Sequence, residues 1–227
     1  MTVGTVLITG GSSGLGAATA QAVADAGGRP VVLDRVPPTA DYDRELVDLA
    51  DARGTEEAVR AVSQRVGGFD GVVTCAGIDA CGRLDDVDAD DWDRVVLVNL
   101  LGTAAVVRAA LPDLIERQGR VVTVASTLGL RALSDATAYC ASKFGVVGFT
   151  RALSAETAGR VGVTLLVPGG MQTPFFDGRT EQYKPPPDAK LNQPHDVALA
   201  IVFALKQPPG CEVRELLIAP SMEGSWP

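Results

Sequence analysis

The chain has 227 residues, 46 % hydrophobic and 21 % charged, which excludes a disordered chain and suits one α/β domain with a large core. Its 28 acidic and 20 basic residues give a formal charge of -8. That balance argues against a nucleic-acid binder, which relies on basic phosphate contacts, and against docking on anionic lipid.

The first apolar run, residues 3–9, leads straight into a glycine-rich turn and a helical pattern over 15–26. A second run, 30–34, ends in Asp34. Next come a predicted helix over 55–66, a strand over 71–75 and a long helix over 90–118. A strand over 120–125, a helix over 137–158 and a strand over 161–167 follow. Residues 178–194 are biased, with Pro185, Pro186 and Pro187 in a row. A helix over 194–206 and a strand over 215–219 finish the pattern. The strand runs are rich in valine, leucine and isoleucine without polar alternation, as strands covered on both faces are. Strand and helix in alternation predict a single-domain, doubly wound parallel sheet, Rossmann-like, with helices on both faces and spanning 1–227.

No segment at the start has the charged head and apolar stretch of a signal peptide, and no run reaches the roughly 18 apolar residues of a membrane span. The expected compartment is the cytoplasm. Cys75, Cys81, Cys140 and Cys211 form no C-x-x-C pair, and the single histidine, His195, has no cysteine near it in sequence. Neither a metal site nor a Ser-His-Asp triad is expected.

The turn after the first strand reads Thr9-Gly10-Gly11-Ser12-Ser13-Gly14-Leu15-Gly16. Glycines there let backbone amides approach a diphosphate, and the following helix adds the partial positive charge of its N-terminus. Asp34 ends the second strand about 20 residues on, where a carboxylate can accept hydrogen bonds from an adenosine ribose. It would repel a 2′-phosphate, so NAD is expected over NADP, although Arg35 beside it can blunt the repulsion. A solvated strand end is the plainer reading of Asp34.

These motifs and those that follow resemble the short-chain dehydrogenase/reductase family. Thr9–Gly16 resembles its T-G-x-x-x-G-x-G turn, and Asp48-Leu49 its adenine-contacting pair. Cys75-Ala76-Gly77 stands where the family has Asn-Ala-Gly, and Asn99 with Gly102 resembles its Asn-x-x-Gly. Ser126 follows the fourth run, and Tyr139 with Lys143 forms the Tyr-x-x-x-Lys motif. Pro168-Gly169 through Met171 to Thr173 is similar to its Pro-Gly-x-x-x-Thr segment. The resemblance implies cofactor contacts from Gly10, Ser12, Ser13, Gly14, Leu15, Gly16, Asp34, Arg35, Asp48, Leu49, Cys75, Ala76, Gly77, Tyr139, Lys143, Pro168, Gly169, Met171 and Thr173. It implies catalysis by Ser126, Tyr139 and Lys143, with Asn99 holding a water that links Lys143 to solvent. It places the Thr173 side chain near the nicotinamide carboxamide. Cys75 in place of asparagine puts local support of its loop in doubt.

The residues speak for the same chemistry. Tyr139 and Lys143, four apart on a helix, share a face, and an ammonium near a phenol is expected to lower the phenol's pKa. Such a tyrosine is a base towards an alcohol and an acid towards a ketone. The expected function is therefore hydride transfer between nicotinamide and a small secondary alcohol or ketone. The competing readings are an NAD-binding redox sensor without turnover, and a dehydratase or epimerase with bound NAD.

Residues 174–194 read either as a surface loop or as a substrate lid. The lid is preferred, mobile over 175–190 without ligand and ordered with it. The resemblance implies a homodimer or homotetramer, with the two long helices packed against copies of themselves. Val95, Val98, Val106 and Ala109 on the first, and Val146, Phe149 and Leu153 on the second, agree in part, as apolar surface beyond one sheet face's needs. Trp226 near the end is expected either to pack on a neighbouring subunit or to belong to a flexible tail.

Overall fold

The computed structural model describes residues 3–222; Trp226 lies outside them. Seven strands form one sheet in the order β3-β2-β1-β4-β5-β6-β7, and every adjacent pair is parallel. They are β1 (Thr5–Thr9), β2 (Arg29–Asp34), β3 (Asp43–Leu46), β4 (Gly71–Thr74), β5 (Arg120–Val124), β6 (Gly162–Pro168) and β7 (Glu215–Ile218). The helices are α1 (Gly14–Asp25), α2 (Ala52–Val66), α3 (Ala89–Val96), α4 (Thr103–Glu116), α5 (Thr137–Glu156) and α6 (Pro194–Leu205).

Both faces of the sheet are covered, which explains the unbroken apolar runs. Val6, Ile8, Val32 and Val73 point to one side, under Leu15, Ala20 and Val23 of α1 and Val197, Ile201 and Val202 of α6. Leu7, Val31, Leu33 and Val72 point to the other, under Val59 and Val62 of α2, Val106, Val107, Ala110 and Leu114 of α4, and Leu153 of α5. Each of these valine, leucine and isoleucine side chains contributes about 1.5–3 kcal/mol by leaving water. The strand order reverses between β1 and β4, so a crevice opens at their carboxyl ends, where the glycine turn and Cys75-Ala76-Gly77 stand.

The structure departs from expectation in four places. The strand Asp43-Arg44-Glu45-Leu46 has no apolar run because β3 is an edge strand, paired with β2 on one side only. Its charges are engaged instead: Asp43 with Arg29, and Glu45 with Arg65 at 2.9 Å. Helix α2 starts at Ala52, ahead of the expected 55, because Asp51 caps it by accepting from the amides of Arg53 and Gly54.

The helix expected over 90–118 is α3, a π-helical segment (Leu97–Gly102) and α4 in one continuous run. By length and composition that run, Ala89–Glu116, would suffice to cross a membrane, contrary to the expectation that none would. Its most apolar window is 56 % buried in this fold, because Val98, Val106, Val107 and Leu114 fill the core. The same packing removes the surface expected to join subunits. Val95, Val98, Val106, Ala109, Val146 and Leu153 are all buried within the single chain, and Phe149 is half-buried against the core. The exposed large apolar side chains of the π segment and α5 are Leu101 and Phe144.

Candidate active site

The glycine turn is shaped by close approach. A Cβ on Gly16 would run into the Gly10 carbonyl, and one on Gly10 would lie 2.8 Å from the Ala76 Cα. The turn thus packs on its own backbone and on the β4 loop, leaving the start of α1 open to a cleft of about 740 Å³. Gly10, Ser13, Gly14, Gly16, Asp34, Arg35, Asp48, Leu49, Cys75, Ala76, Gly77 and Thr173 line it. A bare cradle of backbone with a helix N-terminus behind it fits a dinucleotide diphosphate.

Ser12 lies outside that lining. Its amide donates to Asp34 Oδ2 at 3.0 Å and its hydroxyl to the Val36 carbonyl at 2.6 Å, so it ties the turn to the end of β2. Asp34 also accepts from the Arg35 amide at 2.7 Å, which fixes its carboxylate at the cleft wall. Further along, Asp48 accepts from Arg94 at 2.7 Å and from the Ala50 amide at 3.0 Å. The Arg94 guanidinium holds the Asp48 carboxyl below the usual carboxylate range. Arg94 lines the same cleft and escaped the sequence reading, since nothing in an amphipathic helix marks which arginine meets a loop 46 residues away.

A second cavity of about 700 Å³ adjoins the first and shares Cys75, Gly77, Asp79, Thr173, Phe175 and Arg179 with it. Leu15, Ser126, Tyr139, Lys143, Pro168, Gly169 and Met171 line this one. Ser126 caps the short 3-10 turn Thr127–Gly129, accepting from the Leu128 amide at 3.1 Å, and its hydroxyl hydrogen-bonds the Tyr139 phenol. Lys143 Nζ donates to the Val124 carbonyl at 2.9 Å and lies 5.6 Å from the centre of the Tyr139 ring. Thr173 packs on Gly14, and its Oγ1 accepts from the Phe175 amide at 3.4 Å, capping the 3-10 turn Pro174–Phe176.

Asn99 is fully buried in the π segment. Its side chain accepts from the Ile78 amide at 2.8 Å and donates to the Ile78 carbonyl at 2.9 Å and to Ser142 Oγ at 3.0 Å. Its amide therefore staples the loop after β4 to α5. Asn99 Oδ1 and Lys143 Nζ each lie 3.6 Å from where a Gly77 Cβ would stand, so glycine leaves the gap between them open. The β4 loop keeps its support despite Cys75. The Ala76 amide donates to Thr9 Oγ1 at 3.1 Å, and Asn99 holds Ile78. Burial pushes the Cys75 thiol up to about 12, so it remains a neutral packing group.

The electrostatics reverse one expectation. Tyr139 is raised, not lowered, because burial penalises the phenolate more than the Ser126 hydrogen bond relieves it. Burial also brings Lys143 down from 10.5 to about 8, against the pull of Cys75 and Asp79. Tyr139 is therefore a protonated acid at neutral pH.

These shifts predict a stability profile. Lys143 loses its proton near pH 8 when folded and near 10.5 when unfolded, so the unfolded chain binds more protons in between and stability rises with pH there. Above about 9 the raised thiols of Cys75 and Cys81, and above about 10 Tyr139, act in the opposite sense. Urea midpoints should therefore climb from pH 8 to 9 and then fall. In Lys143→Met the climb should vanish; an unchanged climb would assign it to another group.

Comparison with known proteins agrees with this geometry. The family model described as short chain dehydrogenase matches residues 4–184. An uncharacterised oxidoreductase of Staphylococcus aureus is 32 % identical over 94 % of this chain and 96 % of its own length. Glycine betaine reductase ATRR of Emericella nidulans is 31 % identical over 96 % of this chain, which spans only 19 % of that protein. An alcohol dehydrogenase of the archaeon Thermococcus sibiricus, complexed with 5-hydroxy-NADP, superimposes with a TM-score of 0.84 at 25 % identity, over 94 % of this chain and 95 % of its own.

Proposed function

The chain belongs to the short-chain dehydrogenase family of oxidoreductases, and from that premise we propose that it transfers a hydride between NAD and a small secondary alcohol or ketone. The observation that carries this reading is the convergence of Ser126, Tyr139 and Lys143 on a cavity continuous with the glycine-turn cleft.

A nicotinamide held by these residues would supply or accept the hydride. Ser126 turns its hydroxyl proton from the Tyr139 phenol to the substrate oxygen and holds it. Tyr139 gives that oxygen its phenolic proton in reduction and takes it back in oxidation. Lys143, anchored on the Val124 carbonyl, keeps its charge beside the phenol as the proton leaves. Asn99 positions the Gly77-Ile78 backbone and the Lys143 helix, so that a water between Asn99 and Lys143 can pass protons to solvent. Residues 174–194 cover the substrate, with the Phe175 ring 5.6 Å from the Tyr139 ring. The cytoplasm suits four free thiols.

Initial rates over a panel of ketones and secondary alcohols, each with NAD and NADP forms, test the reading. Turnover of at least one pair with NAD supports it. Tight NADH binding without turnover of any would favour a redox sensor instead.

A homodimer or homotetramer is part of the proposal. Leu101 and Phe144 are 45 % and 44 % exposed on the side of the sheet that carries α4 and α5. A two-fold axis would make such a surface self-complementary. Light scattering at micromolar protein should return at least twice the chain mass, and Phe144→Glu should lower it. A monomer mass for the unmodified chain refutes the assembly.

A further inference from the structure

The glycine turn carries no cation, and three arginines line its cleft: Arg35, Arg94 and Arg179. Arg94 is held by Asp48, and Arg35 stands beside Asp34. Arg179 differs, because it sits on the segment that Thr173 roots against Gly14. Its guanidinium carbon lies 4.7 Å from the centres of both the Phe175 and Phe176 rings, and Nη2 donates to Asp79 Oδ2 at 3.0 Å. The pair is nearly out of solvent, at 15 % and 8 % side-chain exposure. It spans the cleft between two loops 100 residues apart.

In the free chain Asp79 neutralises Arg179, which would otherwise be an unpaired charge nearly out of solvent. A guanidinium fork matches phosphate oxygens as it does a carboxylate, a diphosphate brings two charges to Asp79's one, and the two phenylalanines already hold the fork desolvated and in place. Asp79 would not be stranded by losing it. The Ala80 amide donates to Asp79 Oδ1 at 2.8 Å, and the Cys81 thiol to Oδ2 at 3.2 Å.

We propose that Arg179 is a diphosphate-contact residue of the cofactor site, parked on Asp79 in the free chain and taken over by the diphosphate when the dinucleotide binds. The proposal rests on the dinucleotide reading above. Cofactor binding and the position of residues 174–194 are then coupled, because the same arginine serves both.

Equilibrium binding of NADH and of ADP-ribose separates this role from a structural strut. Arg179→Ala should raise both dissociation constants about tenfold or more, the worth of one charge-assisted contact. Asp79→Asn, isosteric and still an acceptor for Arg179, should lower them by releasing the arginine. The double variant should bind about tenfold more weakly than Asp79→Asn alone, because the arginine acts directly. Equal binding by those two would mean that Arg179 only neutralises Asp79, and weaker binding by Asp79→Asn would make the pair a strut; either overturns the proposal. ADP-ribose has the diphosphate without nicotinamide, so it must show the same shifts. An unmodified chain that binds neither ligand overturns the dinucleotide reading itself. Binding that ignores Arg179→Ala overturns this inference alone.

Discussion

Tyr139→Phe is expected to reduce turnover about 10²–10⁴-fold, the usual worth of general acid–base catalysis, while the dissociation constant for NADH stays unchanged. The substitution removes one oxygen. The ring contact with Phe175 at 5.6 Å, the Lys143 bond to the Val124 carbonyl and the Ser126 cap all survive it. Ser126 cannot replace the phenol as an acid, since an aliphatic hydroxyl gives up a proton far less readily. Lys143 Nζ gives one of its three protons to the Val124 carbonyl and lies 5.6 Å from the centre of the Tyr139 ring, where its charge supports the phenol. Steady-state rates and NADH titration read the two halves separately. More than half the activity remaining would remove Tyr139 from the proton-transfer step.

A preference for NAD over NADP of about 10–100-fold in kcat/KM is the second expected result. The Asp34 carboxylate is clamped by the Ser12 and Arg35 amides at 3.0 and 2.7 Å, so it cannot swing away from a 2′-phosphate at the cleft wall. Two unit charges about 4 Å apart repel by about 4 kcal/mol at an effective dielectric of 20, and Arg35 offsets part of that. Asp34→Ala should narrow the preference. It should also weaken NAD itself, because the Ser12 amide loses its acceptor and the turn loosens. Equal or better efficiency with NADP in the unmodified chain would overturn the role given to Asp34.

What the sequence determined by itself was what local pattern can encode. Unbroken Val/Leu/Ile runs between helical stretches announced a parallel sheet covered on both faces, because each strand must satisfy two apolar layers, as Leu7 and Ile8 do on opposite sides. The glycine turn, Asp34 at the end of β2, and Tyr139 with Lys143 one helical turn apart were legible for the same reason: their chemistry depends on short spacings along one element. Strand β3 was not, since an edge strand answers to solvent and to a single neighbour, and Asp43-Arg44-Glu45-Leu46 needs no apolar period to pair. The π segment around Asn99 was hidden too, because one extra residue per turn leaves no mark in a run of valines and leucines. Tertiary structure alone decided the rest. It consumed Val95, Val106 and Val146 in the core and left Leu101 and Phe144 outside. It set the sign of the Tyr139 shift, because burial is a property of everything packed around the phenol and outweighs the Ser126 hydrogen bond. It also brought Asp79 and Arg179 together across the cleft, since an ion pair between two distant loops is chosen by where the sheet's carboxyl ends put them.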